Sequence, residues 1–271
     1  MLMTIITVVK NGEATIGRTI SSVISQSYKN IQYIIVDGES TDNTSNIIKG
    51  FLELNNNIFY INSPDSGMYS ALNKGYSYSE GDFVGILNAD DYYTDRTYIE
   101  KVSKYLLRNY VDILQTDCAV WDVTTGKTYL HKSTNPSICK LMFTGSLLNN
   151  PHTSLFFSKK VVHSEIKYDT NLKCSSDYKY LYLNLLLNRY STAYYNISGI
   201  IFTRNSKNLS STKQAISENK ALIAELKHFR SFFLVGKLIF LYNNPNRIWQ
   251  KLSFALTTFM QLVTSRYTEK C

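Results

Sequence analysis

The sequence predicts an α/β fold, with a mostly parallel central sheet covered by helices on both faces and a helical C-terminal tail. Three observations carry this. Short apolar, β-branched runs recur at Leu2–Val9, Tyr33–Val36, Ile58–Ile61 and Phe83–Leu87, the composition of strands buried on both faces. Helical patterns with short connections lie between them, an order that requires parallel strands joined by crossover helices. From about Thr212 the pattern is helical to Cys271.

The elements follow from local patterns. Ile16, Ile20, Val23 and Ile24 fall at i, i+4, i+7 and i+8, one face of a helix. Thr41 and Asp42 are expected to cap a second helix bearing Ile47, Ile48, Phe51 and Leu52. Met68–Tyr78 reads as a short helix and Tyr98–Asn109 as a further one. Beyond residue 95 the alternation weakens. Ile113–Val123 is strand-like, and Thr125-Gly126 marks a hairpin turn into Lys127–His131. Residues 133–176 read as irregular, Tyr178–Asn188 as an apolar helix, and Tyr194–Arg204 as containing strand pieces. The expected divisions are therefore 1–95, 96–210 and a basic helical region over 211–271.

Composition sets further bounds. The 271 residues are 44% hydrophobic and 18% charged, with 4 Pro and 12 Gly, enough apolar residue for a sizeable core and too little net charge for general disorder. No apolar run approaches the ~20 residues of a spanning helix, and the first residues lack the features of a secretory leader. The expectation is a cytoplasmic chain. Cys118, Cys139, Cys174 and Cys271 are scattered, which fits reduced thiols and neither a zinc ribbon nor a disulfide framework. The net charge of +8 divides unevenly. Residues 1–130 hold ten Lys+Arg against fifteen Asp+Glu, a net of −5, which leaves +13 on residues 131–271. The acidic half argues against a simple nucleic-acid binder, while the basic half suits an anionic ligand or a membrane surface.

In a parallel α/β sheet, ligands bind outside the carboxyl ends of the strands. Those ends read Thr7-Val8-Val9-Lys10-Asn11, Asp37-Gly38-Glu39-Ser40, Ser63-Pro64-Asp65-Ser66-Gly67 and Asn88-Ala89-Asp90-Asp91. An Asp-Gly pair alone is an ordinary turn; four polar tips with three carboxylate clusters on one edge form a constellation. Adjacent Asp90 and Asp91 repel each other unless a cation joins them, and hard oxygen ligands suit Mg²⁺ or Mn²⁺. The competing reading is an acidic helix start before Tyr98. No Gly-x-Gly-x-x-Gly or P-loop pattern occurs, which disfavours dinucleotide enzymes and P-loop NTPases.

Residues 3–93 resemble the nucleotide-sugar-binding half of family 2 glycosyltransferases, which have the GT-A fold. The pieces that carry the resemblance are MTIITVVKNGEATIGRTISSVISQSYKNIQYIIVDGESTDNTSNII, SPDSGMYSALNKG and GDFVGILNADDYY. PHTSLFFSKK and SSDYKYLYLNLL resemble the family's acceptor-side blocks more loosely. The resemblance implies a GT-A domain over 1–210, with a nucleotide-sugar half (1–95) and an acceptor-side half (96–210). It implies an inverting, metal-dependent transfer from a nucleotide-sugar, expected to be UDP-linked, to a saccharide or polyprenyl-diphosphate-linked saccharide. The context is bacterial surface polysaccharide such as O-antigen or capsule.

By position, Thr7 and Asp37 would contact the nucleoside, Asp65 would be a further nucleotide contact, and Asp90 and Asp91 would hold Mn²⁺ or Mg²⁺ and the diphosphate. The family's Asp-x-Asp stands here as Asn88-Ala89-Asp90 followed by Asp91. Asp177 matches the general base; read without the resemblance, it is a first-turn helix acid. His152 matches a position near the active site in relatives, a structural histidine being the alternative, and Lys74 reads as a solvated helix residue with a phosphate contact as the alternative. Where relatives carry a Gly-rich loop, Arg204–Ser211 has no glycine. In the tail, Phe232–Tyr242 and Leu252–Val263 are flanked by Lys227, Arg230, Lys237, Arg247, Lys251 and Arg266. That pattern suits either helices lying in the inner membrane interface or a packed helical pair. Two alternatives stand beside the transferase: a sugar-nucleotide pyrophosphorylase, whose Gly-rich first loop is missing at Lys10-Asn11-Gly12-Glu13, and a non-catalytic nucleotide-sugar-binding or membrane scaffold.

Overall fold

The structure is a computed structural model that describes residues 1–55, 57–136, 151–187, 190–205 and 213–225. Its strands are β1 (Met3–Val9), β2 (Ile31–Asp37), β3 (Ile58–Asn62), β4 (Phe83–Ile86), β5 (Tyr92–Tyr93), β6 (Ile113–Asp122), β7 (Lys127–His131), β8 (Leu155–Ser158) and β9 (Thr192–Arg204). Its helices are α1 (Ile16–Ile24), α2 (Thr44–Leu52), α3 (Met68–Ser77), α4 (Tyr98–Arg108), α5 (Lys159–Val162) and α6 (Ser176–Leu187), with α7 over residues 213–225. A short 3₁₀ turn, His152–Ser154, leads into β8.

Among the described residues these strands form one mixed sheet in the order β3-β2-β1-β4-β8-β6-β9-β5, with β7 paired to β6. β1 is flanked in parallel by β2 and β4. Every residue of β1 is buried, the signature of a strand covered on both sides. Alternate residues serve opposite faces. Met3 and Ile5 join Ile16, Ile20 and Val23 of α1, Ile48 of α2, and Tyr98, Ile99 and Val102 of α4 in one core. On the other face α3 comes close to the sheet at Gly75, where a methyl group would lie 2.7 Å from Ile6 Cγ2.

The nucleotide-side half matches the periodicity closely. Its helix cap differs. α2 starts at Thr44 with Asn43 at the capping position; Asp42 accepts the Thr44 N–H at 3.0 Å, while Thr41 donates to Asn11 Oδ1. The larger departure lies in residues 133–176, expected to be irregular. There β8 enters the middle of the sheet, antiparallel to both β4 and β6. Four residues, Leu155–Ser158, are too short to show a period, and their strand state is fixed by neighbours distant in sequence. β9 is likewise longer than its expected pieces and pairs with β6 through register shifts near Asp117.

The first compact unit runs to Leu222, beyond the boundary expected at 210, so the first turns of α7 belong to it. Of the second unit, Ile223–Cys271, residues 223–225 are described and helical. The apolar stretches Phe232–Tyr242 and Leu252–Val263 lie outside the described residues. Among the described residues, no helix is long and apolar enough to cross a membrane.

The close approach at Gly75 gives a test of how tightly α3 is seated. Gly75→Ala is expected to lower the unfolding free energy by about 1–3 kcal/mol through overpacking against Ile6, outweighing a helix-propensity gain of about 1 kcal/mol. Urea denaturation reads this directly, and undiminished stability would mean that α3 can lift from the sheet.

Candidate active site

The carboxyl ends of β1 and β4 open onto a cleft of about 980 Å³, large enough for a nucleotide-sized ligand. Val8–Gly12 line one wall and Asn88, Ala89 and Asp90 continue it. Asp65, Gly67, Met68 and Tyr69 come from the start of α3, and His152, Asp177 and Tyr178 from the acceptor-side half. The backbone at this edge is held in unusual conformations. Among the described residues, Asn11 (φ 55°) and Glu39 (φ 56°) are the non-glycine residues with positive φ, and both sit at strand tips, where backbone strain gathers at ligand sites.

Thr7 and Asp37 are not among the residues that line this cleft. Thr7 is buried and pairs its hydroxyl with the Tyr33 phenol at 3.0 Å. Asp37 is fully buried. One of its oxygens accepts the Ser40 N–H and hydroxyl, at 2.9 and 2.6 Å, and the other accepts Ser45 Oγ and Tyr60 OH, both at 2.8 Å. Tyr60, its phenol pushed up to about 12 chiefly by burial, remains a donor. Four donors saturate the carboxylate, which shapes the β2–α2 turn. Asp65 does face the cleft; its carboxylate lies against Gly38, where a methyl group would come within 2.3 Å of Oδ2. Lys74 is half-buried, and its ammonium donates to Ser63 Oγ at 2.6 Å and Pro64 O at 3.1 Å.

The two adjacent aspartates part company. Asp90 lines the cleft, and no described side chain hydrogen bonds its carboxylate. Its backbone carbonyl is held by Thr203 Oγ1 at 2.6 Å and by Arg18 Nη2 at 3.0 Å, the Arg18 guanidinium lying 4.2 Å over the Tyr92 ring. Burial raises the Asp90 pKa despite the nearby charges of Arg18 and His152. Asp91 turns the other way and is wholly buried. Its Oδ1 accepts the Thr203 N–H at 2.7 Å, and its Oδ2 accepts Asn88 Nδ2 at 3.0 Å. Burial, and then the charge of Asp90, hold its pKa well above the usual carboxylate range. Of the adjacent pair, Asp90 is the carboxylate that faces the cleft, and Asp91 is hydrogen bonded within the protein.

No group of three or more His, Cys, Asp or Glu side chains suited to a metal occurs among the described residues. That does not conflict with Mg²⁺ or Mn²⁺. Such ions are commonly bound by one or two protein carboxylates together with substrate phosphates, and a desolvated carboxylate facing a cleft fits that donor set.

Asp177 sits in the first turn of α6 and faces the cleft. Tyr69 OH donates to its Oδ1 at 3.2 Å, and His152 Nδ1 lies 3.4 Å from its Oδ2. Burial, then the charge of Asp177, keeps the Tyr69 phenol protonated. His152 Nε2 is 3.1 Å from Asn88 Oδ1, so the imidazole bridges Asp177 to the tip of β4. The sequence does not single out Tyr69 or Asn88, which contact Asp177 and His152. Asn88 had a signal, since it stands where the resemblance leads one to expect an aspartate; Tyr69 had none, because 108 residues separate it from its partner.

Asp91 gives a pH test. A carboxyl whose pKa is raised on folding costs stability once the pH passes its unfolded value, so its contribution worsens as pH rises from about 4. Asp91→Asn retains an acceptor for the Thr203 N–H and is expected to flatten that decline in unfolding free energy between about pH 4 and 8. An unchanged slope in denaturation curves would remove Asp91 as its source.

Comparison with known proteins agrees with this architecture. The family model for glycosyl transferase family 2 matches residues 4–164. Glycosyltransferase GlyA of Streptococcus pneumoniae is 30% identical over 129 residues, which cover 48% of this chain and 18% of that one. The Escherichia coli UDP-Glc:α-D-GlcNAc-diphosphoundecaprenol β-1,3-glucosyltransferase WfaP is 36% identical over 92 residues, covering 34% of this chain and 36% of WfaP. The chain thus spans well under two thirds of these relatives. Staphylococcus aureus TarS 1–349, in a crystal structure with UDP-GlcNAc, superposes with a TM-score of 0.64 at 18% identity, covering 85% of this chain and 69% of that one, a likeness of fold. With the family model matching more than half of its length, the chain belongs to glycosyltransferase family 2.

Proposed function

We propose that this chain is an inverting, metal-dependent glycosyltransferase that moves a sugar from a UDP-sugar to a saccharide or polyprenyl-diphosphate-linked saccharide during assembly of a bacterial surface polysaccharide. The observation that carries the reading is the pairing across one cleft of Asp90, unsatisfied by any described side chain, with Asp177, held by Tyr69 and close to His152. The UDP donor is supported by the UDP-GlcNAc that TarS binds and the UDP-Glc named for WfaP; the lipid-linked acceptor is supported by WfaP.

Inversion needs one base and no covalent intermediate. Asp177 takes the proton of the acceptor hydroxyl as that oxygen attacks the anomeric carbon opposite the leaving diphosphate. The Tyr69 hydroxyl holds one oxygen of that carboxylate, and His152 lies beside the other and ties it to the wall carrying Asp90. Asp65 and the Val8–Gly12 edge receive the nucleotide. Asp90 would hold Mn²⁺ or Mg²⁺ together with the donor's diphosphate, and the ion would supply neutralisation of the charge that develops on the departing nucleoside diphosphate. The net +13 of residues 131–271 suits an anionic lipid surface at the inner face of the membrane, where a polyprenyl-linked acceptor would lie.

The test is nucleoside diphosphate release from a panel of UDP-, GDP- and dTDP-sugars, with lipid-linked and free saccharide acceptors, in Mn²⁺ and then in EDTA. The expected result is release from a UDP-sugar that stops in EDTA. Asp177→Asn should lower turnover by about 10²–10⁴-fold with donor binding retained, and Asp90→Ala should lose metal-dependent donor binding. Turnover that survives Asp177→Asn would sink the assignment of the base.

A further inference from the structure

The start of α6 is seated by a carboxylate from α7, a segment that the sequence reading left in the tail. Glu218 Oε1 accepts the Lys173 N–H at 3.1 Å, and its Oε2 accepts the N–H groups of Cys174 and Ser175 at 2.9 and 3.1 Å. Asn219 Oδ1 takes the Ser175 hydroxyl at 2.7 Å. The far side of Glu218 is steadied by Gln214 Nε2, 3.1 Å from Oε1. Ala215, Glu218, Asn219 and Leu222 stand at i, i+3, i+4 and i+7, one face of α7. Ala215 and Asn219 of that face line the cleft beside Cys174, Asp177 and Tyr178.

Three consecutive backbone donors on one carboxylate make an unusual joint. Ser175 is wholly buried, so its N–H must find an acceptor within the protein, and Glu218 supplies it. The carboxylate also lies at the N-terminal end of α6, where the helix dipole favours negative charge. Ser175 in turn accepts the Lys179 N–H through its carbonyl, the first hydrogen bond of the helix. Asp177 follows two residues after Ser175. The direction in which its side chain leaves α6 therefore depends on how residues 173–175 are held, and Glu218 holds all three.

We propose that Glu218 is a positioning residue for the acceptor-activating carboxylate, and that α7 is a wall of the active site. It acts through the backbone of residues 173–175 to keep Asp177 within reach of the acceptor hydroxyl while leaving the donor side untouched. This rests on Asp177 being the base of the proposed transfer. The donor-side residues Asp65 and Asp90 belong to β-strand tips and the α3 loop, none of which is hydrogen bonded to Glu218 among the described residues. Catalysis is sensitive to such placement, since a displacement of about 1 Å costs roughly 10²-fold in rate.

The experiment uses the full chain with Glu218→Ala and Glu218→Gln, the latter keeping one acceptor oxygen and adding a donor that opposes the nest. Three quantities are compared with the parent: amide hydrogen exchange at residues 173–175, UDP-sugar affinity in Mn²⁺, and kcat for transfer. The expected outcome is faster exchange at Lys173, Cys174 and Ser175 in both variants. Donor affinity should stay within about twofold, and kcat should fall about 10–100-fold, less in Glu218→Gln than in Glu218→Ala. Unchanged kcat despite faster exchange would overturn the positioning role. So would an equal loss of donor affinity and thermal stability, which would make Glu218 a structural brace. Should the parent chain transfer no sugar from any donor, the glycosyltransferase reading fails on that ground, and exchange alone judges the anchor: faster exchange keeps it and unchanged exchange overturns it.

Discussion

The buried carboxylate of Asp91 joins the two halves of this sheet. β4 is only four residues long and ends at Ile86. Five residues later Asp91 reaches across to the backbone of β9, taking the Thr203 N–H, while Asn88 closes onto its other oxygen. Burying a carboxyl group is costly unless its oxygens are hydrogen bonded, so the joint tolerates little rearrangement. Thr203 returns a second bond from its hydroxyl to the Asp90 carbonyl, and Thr19 of α1 donates to the carbonyls of Ala89 and Asp91. The chain between Asn88 and Asp91 is thereby pinned from α1 on one side and β9 on the other, and Asp90 is left facing the cleft. The two neighbouring aspartates are separated because the chain turns between Asn88 and Asp91, the Asp91 N–H bonding the Asn88 carbonyl at 3.0 Å.

From that joint a line of side chains crosses the cleft. Asn88, fixed by Asp91, presents Oδ1 to His152, and His152 presents its other nitrogen to Asp177. Tyr69 reaches the same carboxylate from α3, and Glu218 seats the start of its helix. The tip of β4 and the start of α6 are thus linked across the cleft by side chains rather than by sheet pairing.

The nucleotide-side half was legible because its determinants are local. β1 to β4 and α1 to α3 follow from the spacing of apolar residues, and the strand tips follow from the strands. The contents of the tips were less so. Asp37 has the look of a ligand-binding residue, and its four donors include Tyr60, which lies 23 residues away on β3. In the acceptor-side half, β8 is too short to show a period and becomes a strand only because β4 and β6 leave a slot between them.

The sequence by itself determined the α/β class, the succession of the first four strands and the edge on which the polar tips gather. These depend on periods of 2 and 3.6 residues and on turn residues, all read within a dozen positions. Only the tertiary structure decided which carboxylates face the cleft and which are consumed in holding it. The bonds that decide this join residues 64 (His152 to Asn88), 108 (Tyr69 to Asp177) and 112 (Thr203 to Asp91) positions apart. No local pattern records such a partner, because hydrogen bonding of a buried polar group is satisfied wherever the fold brings a donor, not where the chain is near.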